Sequence, residues 1–128
     1  MMKIEYLESG SEDCPLLRLF EFEKSDVASL RDACLSLAAG SIAEFRLDGQ
    51  SWVESIGGRN LVLRFGVKNL GARWGKCVTD AFTIEFNSEG WLEIVDKIEP
   101  LLTSRKSGYQ WLDEDGDFKV LLSWGGCW

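Results

Sequence analysis

Asp113-Glu114-Asp115-Gly116-Asp117 is the densest run of chemically capable side chains in this 128-residue chain. Carboxylates so close together can hold a cation or face a basic partner. A calcium loop of the helix-loop-helix type places glycine sixth and glutamate twelfth. Counted from Asp113, the glycine here is fourth and the twelfth residue is Trp124, so that pattern fails. Asp and Gly also supply the positive φ angles of tight turns. The run therefore reads first as a solvated hairpin turn, and second as a weak cation site or an acidic contact patch.

A segment of opposite sign precedes it. Arg59, Arg64, Lys68, Arg73 and Lys76 fall between Glu54 and Asp80 with no acidic residue among them. Gly57, Gly58, Gly66, Gly71 and Gly75 accompany them. Guanidinium forks beside exposed backbone N–H groups can hold an anion or phosphate. Arg59, Arg64, Arg73 and Lys76 are thus the anion-binding candidates. No Gly-Lys-Ser/Thr step or strand–GxGxxG–helix context supports a phosphate loop. A basic stretch that pairs with neighbouring carboxylates is the plainer reading.

There is no histidine. That removes Ser–His and Cys–His nucleophiles and every imidazole-ligated metal. Cys14, Cys34, Cys77 and Cys127 form no Cys-x-x-Cys pair, and in a reducing compartment they are free thiols. Cys34 falls on an apolar helical stripe. Cys77 follows Lys76, where a cation could lower its pKa, but it lacks a base. A glycosidase would need two carboxylates across a cleft, and nothing in the sequence brings Glu54 and Glu85 together. No catalytic residue, metal site or cofactor is expected.

Six tryptophans complete the set. Trp91 lies on a helical stripe and Trp111 in a strand, as core residues do. Trp52, Trp74 and Trp128 occupy loop-like or terminal positions, where exposed they would anchor a binding surface. The protein-contact candidates are therefore Trp52, Trp74 and Trp128 with Asp113, Glu114, Asp115 and Asp117.

The elements that must carry these residues follow from periodicity. Lys3–Leu7 alternates as a half-buried strand, and Leu16–Phe22 is apolar on both sides, as a central strand is. Ser25 is a suitable N-cap for a helix along Val27, Leu30, Cys34 and Ala38, with Gly40 as its left-handed cap. Strands are expected at 41–48, 60–66 and 82–86, with turns at Asp48-Gly49 and Gly57-Gly58. Ser88 could cap a second helix with Trp91, Val95, Ile98 and Leu102 inward, kinked or broken at Pro100. A closing hairpin follows Gly108. The result is one α+β domain spanning 1–128. It has a single mostly antiparallel sheet with two helices packed on one face, in the order ββα-βββ-αββ.

The formal charge of −7, from fourteen cations and twenty-one carboxylates, argues against nucleic acid and suits a basic protein partner. No apolar run approaches the ~18 residues of a membrane span. No signal-peptide pattern opens the sequence, so a cytoplasmic location without membrane association is expected.

Ile4-Glu5-Tyr6-Leu7-Glu8-Ser9-Gly10 with Cys14-Pro15-Leu16, and Gly108–Trp128 with Gln110-Trp111-Leu112 and Leu121-Leu122-Ser123, resemble the two ends of a small uncharacterised family of bacterial proteins. The resemblance implies bacterial origin and cytosolic residence, and no functional residue. The expected function is non-enzymatic: an acidic domain that binds a basic protein, as immunity proteins occupy a toxin's active site. The alternative is a small-molecule or anion-binding domain using the basic segment 59–76. A histidine-free enzyme ranks last.

Overall fold

The computed structural model describes residues 1–8, 15–58, 60–73, 81–103 and 108–124. Alternating side chains give β1 (Met2–Leu7), which pairs antiparallel with β2 (Leu16–Phe20), as the opening hairpin requires. Leu17 and Leu19 enter the main core, while Leu16 and Phe20 are buried on the other face. β2 is accordingly central, as its two-sided apolar pattern implies.

Helix α1 (Lys24–Ala38) buries Val27, Leu30, Cys34 and Leu37. Its start differs from the expected one. Glu23, not Ser25, is the N-cap, and the Asp26 carboxylate accepts the Glu23 backbone N–H at 2.9 Å. That places Asp26 in the third helical position, where its charge also complements the helix dipole. Gly40 adopts φ +72° just beyond the helix, as expected of a left-handed cap.

The segment expected as one strand over 41–48 contributes only β3 (Glu44–Arg46), because Leu47–Gly49 winds into a 3-10 turn. Burial of Leu47 and capture of the Leu61 N–H by Asp48 Oδ1, at 2.9 Å, favour the turn over an extended backbone. There follow β4 (Val53–Ser55), β5 (Asn60–Phe65), β6 (Gly71–Arg73) and β7 (Ala81–Phe86). Among the described residues, five strands thus separate the helices where three were expected. β4 and β6 are three residues each, too short to show a period.

Helix α2 (Ser88–Thr103) runs through Pro100 without breaking there. Pro100 is exposed, and Thr103 Oγ1 donates to its carbonyl at 3.1 Å. Asn87 caps the other end, accepting the Gly90 N–H on Oδ1 at 2.9 Å. β8 (Tyr109–Asp113) and β9 (Lys119–Ser123) then form the expected antiparallel hairpin.

The pairing corrects the single antiparallel sheet. Two mixed sheets form among the described residues: β4-β1-β2-β9-β8 and β3-β5-β7-β6. β1–β4, β2–β9 and β5–β7 are parallel. Side-chain alternation identifies strands and their inward faces but carries no information on distant partners. The closing hairpin consequently completes only the first sheet, on the edge of β2. The helices pack on each other rather than lying separately on one sheet, and their buried stripes join a core shared by both sheets. Tyr6 of β1, Phe82 of β7 and Phe118 bridge the sheets, with ring centroids 4.8 to 5.9 Å apart. Among the described residues, no helix is long and apolar enough to cross a membrane.

Candidate functional site

The acidic turn is not the solvated tip that its composition suggests. Asp113 is only 9% exposed, and its Oδ2 accepts the Ala72 N–H at 2.9 Å while Asp115 N approaches Oδ1 at 3.5 Å. The Asp117 N–H donates to the Ala72 carbonyl at 2.7 Å. β6 is the edge of the second sheet, and Ala72 faces away from β7 with both backbone groups unpaired by the ladder. The turn satisfies both. Gly116 permits this approach, since a Cβ there would stand 2.4 Å from the Ala72 carbonyl oxygen. The turn is therefore a clasp between the two sheets, and Asp113 is structural. Glu114 and Asp115 are exposed, while Asp117 lies 3.6 Å from Arg73.

The basic segment is placed only in part. Arg59, Lys76 and Trp74 lie outside the described residues, as do Trp128, Cys14, Cys77 and Cys127. Arg64 and Arg73 share the outer face of the second sheet, on strands flanking β7. Glu85 of β7 stands between those strands. Arg64 Nε is 3.2 Å from Glu44 and 4.0 Å from Glu85. Arg73 donates from Nε to the Leu70 carbonyl at 2.9 Å and reaches Asp117. The two guanidiniums thus sit among carboxylates, and their placement does not favour a shared anion. Pairing with surrounding acids is what the charge pattern alone also offered.

Trp52 is half-buried on the wall of an open groove of about 300 Å³ between α1 and β3. Ile42 and Phe45 form its floor, and Asp32 and Gln50 part of its rim. Trp52 joins the core more than it projects from it. Trp91 is core, as expected. Its ring meets Phe86 edge-on at 5.3 Å, and its Nε1–H donates to the Arg64 carbonyl at 2.8 Å. Trp124 packs on Phe22 at 4.6 Å. Cys34 is buried, and burial pushes its thiol up to about 12, opposite to the direction a nucleophile needs.

One feature was missed in the sequence. The exposed face of α2 carries Glu89, Glu93, Asp96 and Glu99 at three- and four-residue spacing, with Leu92 among them. Helical periodicity places these carboxylates on one side. They were legible as the complement of the apolar stripe Trp91, Val95 and Ile98. A polar face is the default of any surface helix, however, and only the fold sets it beside the clasp. Between α2 and the clasp opens a cleft of about 290 Å³ holding Glu93, Lys97, Asp113 and Asp115. Lys97 Nζ donates to the Leu112 carbonyl at 3.3 Å. No group of three or more His, Cys, Asp or Glu placed to hold a metal occurs among the described residues.

Comparison with protein-family models, curated proteins and solved structures finds no match to this chain. None of these comparisons supports the resemblance of residues 4–16 and 108–128 to a bacterial family.

Proposed function

We propose that the protein is a small acidic binding domain for a basic protein partner, acting by occlusion in the manner of immunity proteins and not by catalysis. The observation that carries this reading is the concentration of exposed carboxylates on one side of α2, continued by Glu114 and Asp115 of the clasp. Such a face accelerates encounter with a cationic surface through long-range attraction. Of the nearby cations, Lys97 is engaged with the Leu112 carbonyl, Arg73 with Leu70 and Asp117, and Arg31 with Glu99, while Lys68 is exposed.

Capture from the source cells tests it, run in parallel with a Glu93→Lys, Asp96→Lys double variant. The reading expects a basic protein that is retained at low salt, released at high salt and lost by the double variant. A partner held equally by both forms, or the absence of any salt-sensitive partner, contradicts it.

A further inference from the structure

Building on that reading, we infer that docking occurs where the 66–70 loop, the first half of α2 and the 113–116 clasp meet, and that the partner presents a basic segment with apolar side chains of its own. Phe65, Val67, Leu70 and Leu92 are exposed to 37%, 89%, 38% and 48%. Isolated exposed apolar side chains are ordinary. Here Phe65, Val67 and Leu70 occur within six consecutive residues that also hold Lys68, the loop meets α2 at Gly90, Glu93 and Ile94, and Leu92 is exposed on the same helix. Exposed apolar groups gathered in this way and rimmed by charge mark interaction surfaces.

The patch is held in place. The Asn87 N–H donates to Asn69 Oδ1 at 2.9 Å, and the Asn87 side chain in turn caps α2 through Gly90. Gly90 lets the loop lie against the helix, because a Cβ there would come within 2.5 Å of Asn69 Oδ1. A preordered patch loses little entropy on binding.

The cleft adjoins it, with Leu70, Ile94 and Leu112 as apolar wall, Glu93, Asp113 and Asp115 as carboxylates, and two cations of its own, Lys97 drawn to the Leu112 carbonyl and Arg73 to Leu70 and Asp117. An arginine or lysine fits both parts, its methylene stem along the wall and its head at the carboxylates. Leu92 with Glu89 and Asp96 continues the same pairing of apolar anchor and acidic rim along the helix. Charge complementarity selects a basic partner, and the apolar anchors select one that is not merely basic.

The test uses the full chain, isotope-labelled, with two synthetic peptides: an amphipathic helix bearing leucine on one face and arginine on the other, and a polyarginine of equal charge. The amphipathic peptide is expected to shift backbone amide signals within 65–70, 89–97 and 113–116 and to bind more tightly than polyarginine. Val67→Ser and Leu92→Ser each reduce its affinity about fivefold or more without changing Tm, since both side chains are exposed. Signals moving elsewhere, such as at the Trp52 groove, or full affinity in both serine variants, would overturn this surface while leaving a basic partner in place. Failure of both peptides to bind anywhere overturns the surface and the acidic-domain reading together.

Discussion

Asp113 shows how far a residue's type can mislead about its role. Asp113 belongs to a run of carboxylates that composition assigns to solvent, yet its side chain satisfies a backbone donor on the neighbouring sheet. Removing it strands the Ala72 N–H, and an unsatisfied buried donor costs ~1–3 kcal/mol. Asp113→Ala is therefore expected to lower unfolding free energy by that amount in urea titration. Asp113→Asn, which keeps one acceptor oxygen, should cost less. Asp117→Ala should cost under ~1 kcal/mol, because its pair with Arg73 is exposed and its backbone bond survives. Equal losses in the three variants would refute the clasp. Cys34 was legible, since its place on the helical stripe foretold a small core residue. Its raised pKa means the folded state keeps a proton that the unfolded thiol loses. The associated stability is intact below about pH 9 and disappears as pH rises toward about 12. Thiol reagents at pH 8 should consequently label Cys34 only as fast as the protein opens. Cys34→Ala should lose stability less steeply across that alkaline window.

At the scale of elements, α2 carries most of the proposed surface on little sequence signal. Its buried stripe is easily read from Trp91, Val95 and Ile98, and its charged face is ordinary by itself. Proximity to the clasp turns it into a site, and that proximity depends on pairing between strands far apart in the chain. The same cause hid β4 and β6 and the split into two sheets. Local pattern identified β1, β5 and β7 by alternation, β2 by its two-sided apolar run, and the closing hairpin by its strands and turn. It could not show that β9 lies parallel to β2, or that a hairpin turn would finish the edge of β6. Gly116 tests that last contact from the turn's side. In Gly116→Ala the added Cβ meets the Ala72 backbone, which has no flexible end to move aside. A loss of ~1–3 kcal/mol is expected, as for overpacked sites, with the amide signals of 71–73 and 113–117 shifting together. A neutral effect would mean that the turn stands clear of the sheet.

For the molecule as a whole, the relevant quantity is the distribution of its −7 charge. The fold spends its cations internally: Arg64 on Glu44 and Glu85, Arg18 on Glu5, and Arg73 on Asp117. Glu99 of α2 lies 3.9 Å from Arg31, while Glu89, Glu93 and Asp96 face outward. Association with the partner should therefore be governed by long-range attraction and its persistence by the apolar anchors. The most direct measurement is the rate of association with the captured partner, followed against ionic strength for the native chain and the Glu93→Lys, Asp96→Lys variant. A rate that falls about tenfold or more as salt is raised, with the variant slow at every ionic strength, is the expected result. A rate indifferent to salt, with the variant associating as fast as the native chain, would contradict the account.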